Sequence, residues 1–427
     1  MSRLVIRNGR VVDPSQNLDR VCDLGIEDGV IKELGDALPW TGAEEFDASG
    51  LIVAPGFIDM HVHLREPGFE HAETIETGSR AAAAGGFTSI CCMPNTDPVN
   101  DKPTVTSYII ERARRFAAVN VYPIGAITKN SAGQELSAIA SMKQAGIVAI
   151  SDDGNPVMNA RVARRAMEFA HALDIPLIEH CEDLHLSAGG VMHEALESTR
   201  LGLRGIPRSS EDVMVARDMI LAEVTGARYH VAHISSKYSI EMVAFAKGRG
   251  LPITCEATPH HFSLADSEMR PYDGNYKMKP PLRERGDLDA VVQGLAQGSI
   301  DAIATDHAPH PGDEKMQEFE RCPFGIIGLE TAVGLALERL YHTAKVNISQ
   351  LVQLFSQNPA RILSLDRGTL RTGAGADITI MGLEHSWTYD VNRSPSKSRN
   401  TPFHGRTFRG GPVATIVDGQ IVWRIDV

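Results

Sequence analysis

No stretch of this chain approaches the roughly 18 consecutive apolar residues that a membrane-crossing helix needs. A secretory h-region is also missing near the start, where Met1-Ser2-Arg3-Leu4-Val5-Ile6-Arg7 reads as an amphipathic strand, so cytoplasm is the expected compartment. There is no surplus of cation. Forty-two Lys and Arg against 54 Asp and Glu give a net charge of −12, with the basic residues scattered, which argues against a nucleic-acid or anionic-membrane surface. Cysteine is sparse: Cys22, Cys91, Cys92, Cys181, Cys255 and Cys322 form no CxxC pair. That excludes a dense disulfide framework and a thiolate zinc ribbon, and leaves reduced, mostly buried thiols. Cys181 stands apart because His180 precedes it. Glycine-rich phosphate motifs after the early strands are absent, which weighs against a doubly wound nucleotide-binding sheet.

What is present is an ordinary globular composition, 427 residues with 43% hydrophobic and 22% charged, enough for one large core and a smaller satellite domain. Residues 1–53 carry short alternating strands at 4–7, 10–12, 22–26 and 30–32, with Asn8-Gly9 and Asp28-Gly29 as two-residue hairpin signals. The same style returns at 377–380 and 414–423 around Asp418-Gly419. We therefore expect one β-sandwich assembled from both ends, 1–53 and 366–427.

Between them, 54–365, strands alternate with helical periods such as 161–173 and 210–225. Strand candidates fall at 88–92, 119–123, 147–150, 176–179, 228–232, 253–255 and 302–304. Strand–helix units in this number predict an α/β fold, a (β/α)8 barrel, with working residues at the C-terminal strand ends. The strand ends carry a pattern. The apolar run 51–58 leads into Asp59-Met60-His61-Val62-His63, whose histidines at i and i+2 leave an extended chain on one face and can grip one metal. Other strands end in Ser151-Asp152-Asp153-Gly154, His180-Cys181-Glu182-Asp183, His233-Ile234-Ser235 and Thr305-Asp306-His307. A lone His or Asp at a loop is an ordinary satisfied polar residue. Five strand ends with metal-ligating residue types on one face point to a metal site. His230, three residues before His233 on a strand, faces away and reads as structural.

With these stretches in view the chain resembles the amidohydrolase superfamily, and within it dihydroorotases of the bacterial class I type. The resemblance spans essentially the whole length. It rests on Pro55–Gly68, Met93-Pro94-Asn95-Thr96, Asp152-Asp153-Gly154, His180–Asp183, His233-Ile234-Ser235, Ala304–His310, Pro323–Glu330, Asn358-Pro359-Ala360-Arg361 and Ser398–Pro402. It implies a barrel flanked by a β-sandwich of both termini. It also implies zinc, one or two ions per subunit: His61, His63 and Asp306 for the first, His180 and His233 for a second, and Asp153 bridging where many relatives use a carboxylated lysine. Asp153 is short and must be delivered by its own loop, so a looser second site is expected. Cys181 either adds a thiolate or packs beside the site.

The implied reaction is the reversible closure of N-carbamoyl-L-aspartate to L-dihydroorotate in pyrimidine biosynthesis, with zinc-activated hydroxide and Asp306 as proton shuttle. Arg65, two residues past His63, has the planar fork that suits the substrate carboxylate. The resemblance adds Asn95 and His310 to this clamp, with Phe324 and Gly325 from the Pro323–Glu330 stretch. One departure is Lys279, where the family usually has Asn before Pro-Pro-Leu-Arg; it either brings a cation to the substrate or turns outward. Residues 310–324 look like an active-site lid. A homodimer and an association with aspartate transcarbamoylase are the expected partners beyond the small-molecule substrate. Two other readings stay open. A hydantoinase or allantoinase would share fold and metals, but those relatives generally lack the arginine and use the carboxylated lysine. A non-catalytic scaffold for the transcarbamoylase would be expected to have lost ligands, and all six are retained.

Overall fold

The computed structural model describes residues 3–425. Met1, Ser2, Asp426 and Val427, at the outer ends of the two terminal segments, lie outside the described residues.

Both chain ends enter one eight-stranded mixed sheet. Its order runs Gln420–Arg424, Thr407–Val417, Ile378–Thr388, Ile52–Pro55, Arg3–Asp13, Leu18–Glu27, Val30–Gly35, with Glu44–Asp47 alongside Arg3–Asp13. Alternation places Leu4, Ile6, Val11, Leu24, Ile26 and Ile31 in one apolar cluster with Ile378, Ile380, Ala414 and Ile416 from the other terminus. The sheet thus curls so that its two halves face one another, and a Val30–Gly375 bridge joins them. Asp28-Gly29 and Asp418-Gly419 are two-residue hairpin turns, with Glu27 opposite Val30 and Val417 opposite Gln420; left-handed φ at all four residues matches the strand twist.

Asn8-Gly9 is different. The expected hairpin is instead a register shift inside the single strand Arg3–Asp13. Asn8 takes φ 58°, and its N–H donates to Asp23 Oδ1 at 3.0 Å. A Cβ on Gly9 would stand 2.4 Å from Val53 Cγ2, so the glycine serves a close approach between neighbouring strands.

Strand Ile52–Pro55 crosses the expected boundary at 53/54, and after Gly56 the chain enters the barrel at Phe57–Val62. Parallel pairing then runs through Phe87–Cys92, Asn120–Pro123, a bridge at Gly125–Ile150, a bridge at Ile150–Leu177, then Leu177–Glu179, Tyr229–Val231, Ile253–Ala257 and Ala302–Ile303. A Val62–His307 bridge closes the ring. The strand expected at 147–150 is reduced to the single bridging residue Ile150. Met60, Cys91, Ile124, Ala149, Ile178, Ala232, Ala302 and Ala304 touch as one cluster. Strands from opposite sides of a ring can meet only inside it, so these side chains fill the interior. The expected helices appear at Ala160–Ala172 and Ser209–Thr225. No helix among the described residues is long and apolar enough to cross a membrane.

Because Val53 is fully buried and β-branched, Gly9→Ala should lower stability by about 1–3 kcal/mol through overpacking. Thermal unfolding of the variant against wild type measures this.

Candidate metal centre and substrate pocket

The C-terminal strand ends converge on the carboxylate of Asp153. Its Oδ1 lies 3.4 Å from His61 Nε2, 3.6 Å from His180 Nδ1 and 3.5 Å from His233 Nε2, and its Oδ2 lies 3.4 Å from His63 Nε2. Asp306 Oδ1 approaches His63 Nε2 at 3.1 Å and His61 Nε2 at 3.6 Å. His180 Nδ1 and His233 Nε2 face each other at 2.9 Å. All six side chains are buried. Two sets of donor atoms, His61–His63–Asp306 and His61–Asp153–His233, are each compact enough to share one cation.

Three of the four imidazoles are aimed by what holds their other nitrogen, His233 Nδ1 being buried without a partner. His61 Nδ1 meets Glu256 Oε1 at 2.9 Å, His63 Nδ1 meets Asn95 Oδ1 at 2.9 Å, and His180 Nε2 meets Glu182 Oε2 at 3.0 Å. Such partners fix tautomer and ring direction at metal sites. His230 does not face away as its spacing suggested: it pairs with the interior residue Ile178, because the left-handed φ of His233 breaks the strand alternation. Its Nε2 lies 3.3 Å from Glu256 Oε2, so it steadies the carboxylate that aims His61. Burial opposes the charge on Glu256, but His230 and His61 together hold it down at a pKa of about 2.

The loops are pinned from behind. Asp152, not Asp153, accepts Ile127 N–H at 2.8 Å, Thr128 N–H at 3.1 Å and the Thr128 hydroxyl, which pins the loop that delivers Asp153 to the centre. Asp59 accepts His61 N–H at 3.1 Å and the Thr305 hydroxyl at 2.5 Å, tying the strand end of His61 to that of Asp306. His233 and Asp306 take φ of 32° and 48°, unfavourable for non-glycine residues and held by the surrounding structure.

Two features show that these residues fit a metal. His61 Nε2 and Asp153 Oδ1 are buried without a hydrogen-bond partner, and such orphans are costly unless something satisfies them. The donor set, imidazole nitrogen with carboxylate oxygen, suits zinc. Burial disfavours charge on Asp153, yet His61, His180 and His233 outweigh it and hold the carboxyl well below its usual range. Asp306 is lowered in the same way, burial being outweighed by His63, His61 and His233. Cys181 stays outside both donor sets: its Sγ lies 3.0 Å from Tyr229 Oη, and burial pushes the thiol well above its ordinary pKa.

Above the cluster opens a cavity of about 400 Å³, lined by every sequence-predicted site residue except the fully buried His61. Arg65, at φ 60°, donates from Nε to Pro309 O at 3.1 Å, and its Nη2 lies 3.3 Å from His310 Nε2. Among the described residues no carboxylate forms an ion pair with it, while burial pushes its pKa down. A half-buried guanidinium lining a cavity without an anion calls for one. His310 accordingly lies at a pKa of about 3, lowered by burial and by Arg65. Its Nε2 donates to Phe324 O at 2.8 Å. Lys279 lines the cavity but is engaged, with Nζ 2.9 Å from Glu182 Oε1; it therefore supports His180 through Glu182. Phe324 lies beneath it, 5.1 Å from ring centroid to Nζ.

Glu256, Glu182, Asp59 and Asp152 escaped the sequence reading as site residues. An acid inside the apolar strand Ile253-Thr254-Cys255-Glu256-Ala257 was the available signal, since a buried carboxylate needs a partner. The lining 310–325 is a packed loop rather than a bare flap: Phe319 is buried against Val191 and Met192.

A family model described as Dihydro-orotase-like matches residues 50–239. A dihydroorotase of Solibacter usitatus is 67% identical, covering 98% of each chain. Dihydroorotases of Pelotomaculum thermopropionicum and Geotalea daltonii are 54% identical (98% of each chain) and 52% identical (99% of this chain, 100% of that one). Among solved structures, an L-hydantoinase from Arthrobacter aurescens superposes with TM-score 0.88 at 24% identity, covering 99% of this chain and 96% of that one. A D-hydantoinase from Thermus sp. gives 0.84 at 25%, covering 99% and 97%. At these identities the hydantoinases speak to the shared fold.

Glu256→Gln should weaken metal affinity by about 10–100-fold, as loss of a carboxylate behind a ligating histidine does elsewhere. Competition titration with a chromophoric chelator reads this directly.

Proposed function

The chain belongs to the dihydroorotase family, and from that premise we propose how its own residues carry out the family reaction. It catalyses the reversible cyclisation of N-carbamoyl-L-aspartate to L-dihydroorotate in pyrimidine biosynthesis, and like its family it is metal-dependent. Our reading of the centre is zinc, in one or two ions, held by His61, His63 and Asp306 and by His180 and His233, with Asp153 between them. The orphaned nitrogen of His61 and oxygen of Asp153 support it. Zinc when bound supplies Lewis acidity and brings the pKa of coordinated water to about 7.

The observation that carries the substrate assignment is Arg65. Both ring and open-chain forms keep a carboxylate outside the reacting amide, and the fork of Arg65 can take it in a bidentate grip. His310, neutral at its lowered pKa, sits within reach of Arg65 to orient that grip. Asn95 spends its carbonyl on His63, leaving its amide to the cavity it lines. Phe324 and Gly325 form the facing wall.

In ring opening, water oxygen adds to the amide carbonyl, the C–N bond breaks and the ring nitrogen takes a proton. Asp306, hydrogen-bonded to His63 and lining the cavity, takes that proton from water and passes it on. In closure it accepts the proton from the ureido nitrogen. Lys279 acts on this chemistry through Glu182 and His180 rather than by holding substrate.

The same reading divides the chain into a catalytic barrel, 54–365, and a unit of both termini, 1–53 with 366–427. It places the protein in the cytoplasm and includes a homodimer, for which Ile220, Val224 and Phe245, all more than 60% exposed on the outer helices, offer apolar surface. It also includes an association with aspartate transcarbamoylase. Light scattering of the chain alone and mixed with the transcarbamoylase tests both partners.

Asp306→Asn should cut turnover of L-dihydroorotate by about 10³-fold or more while metal remains bound; wild-type activity in that variant would remove the shuttle assignment. Arg65→Lys keeps the charge but loses the fork, so KM should rise by about tenfold with a smaller change in kcat.

A further inference from the structure

The segment that walls the substrate cavity on its outer side, 315–325, is held by two ammonium groups rather than by an apolar plug alone. Lys277 is 2% exposed, and its Nζ donates to the carbonyls of Phe319 at 2.7 Å, Glu320 at 3.1 Å and Cys322 at 2.7 Å. Lys315 is 6% exposed, and its Nζ donates to the carbonyls of Lys277 at 3.2 Å, Pro323 at 2.8 Å and Gly325 at 2.9 Å. An ammonium has three donors, and each of these is fully spent on main-chain oxygen. Neither lysine has an ion pair with a carboxylate among the described residues.

The two clusters interlock. Lys277 supplies the carbonyl that Lys315 binds, and the same carbonyl accepts Gly325 N–H at 2.9 Å. Lys277 Nζ also lies 4.5 Å from the Phe324 ring centroid, a cation–π contact. The residues so gripped run straight to the cavity. Phe324 offers its carbonyl to His310, and His310 contacts Arg65. Buried cations are rarely kept without anions. Spending two on six carbonyls, five of them in one loop, goes well beyond what a loop already anchored by the buried Phe319 and Cys322 requires.

We infer that Lys277 and Lys315 are positioning residues for substrate binding: they lock loop 315–325 so that Phe324, Gly325 and His310 present a preformed wall to the substrate held by Arg65. The inference rests on the reading of that cavity as the dihydroorotate site. Neither lysine touches the metal ligands, so their loss should leave the metal and the proton shuttle in place while loosening the wall. The cost then falls on binding.

The test uses the metal-loaded full chain as wild type, Lys315→Met and Lys277→Met, the methionines keeping the buried stem and removing the donors. Steady-state hydrolysis of L-dihydroorotate, metal content and amide hydrogen exchange are measured on all three. The expected result is KM raised about tenfold, kcat within about threefold, and unchanged metal content. Exchange should be faster in 316–325 and not in the barrel strands. Unchanged exchange and KM overturn the inference. So does faster exchange with wild-type KM, because the loop would then be braced without consequence for substrate, as does metal loss or faster exchange throughout the barrel. If one variant fails to fold, the other decides. A wild-type chain that does not turn over L-dihydroorotate would instead defeat the functional reading, and the exchange data would still report on the loop.

Discussion

One carboxylate, that of Asp153, sits within 3.6 Å of four imidazoles drawn from three different barrel strands, and the molecule is organised around keeping that meeting place. Gathering so many polar side chains out of water is expensive unless each is hydrogen-bonded or coordinated. The structure meets the cost by giving each of His61, His63 and His180 a fixed partner behind it: Glu256, Asn95 and Glu182. Two of the atoms left unsatisfied, His61 Nε2 and Asp153 Oδ1, point at the place a cation would occupy. The centre is stable as a whole or not at all, which is why ligands and their partners belong to one functional unit.

That unit depends on the terminal sheet as well as the barrel. Strand Ile52–Pro55 of the sheet passes through Gly56 directly into the strand that carries His61. Gly56 N–H donates to Asp377 O and Phe57 N–H to Thr379 Oγ1, at 2.8 and 3.0 Å. Thr379 Oγ1 in turn donates to Gly86 O at 2.7 Å, ahead of the next barrel strand. The C-terminal residues therefore set the entry of the first two barrel strands. This gives the composite arrangement a physical purpose, since a strand entering at the wrong depth would carry His61 and His63 off the common point.

Legibility differed with the range of the interaction. The hairpins at Asp28-Gly29 and Asp418-Gly419 were readable because a two-residue turn is set by its own φ angles. Asn8-Gly9 carries the same local signal and forms a bulge instead, because Val53 packs where a Cβ would stand and Asp23 holds Asn8. The stretch 147–150 is a short apolar run that reads as a strand, but it bridges only at Ile150, to Gly125 and to Leu177. Its N–H groups donate to Pro123 O and Pro176 O, and the prolines have no N–H to return. For Lys279 the sequence left open a cation for the substrate or an outward turn. Glu182, remote in sequence, claims it.

The chain's own sequence determined the repeat of strands and helices, the identity of the strand-end side chains, and through its near relatives the reaction. These follow from periodicities and short spacings that act within a few residues. Tertiary structure alone decided which nitrogen of each histidine faces the centre, since His61 takes its direction from a glutamate 195 residues away. It likewise decided that Arg65 has no carboxylate partner among the described residues and that Lys277 and Lys315 spend their charge on a loop. An empty partner list and a saturated one look the same in sequence, because hydrogen-bond satisfaction is a property of what folding brings together.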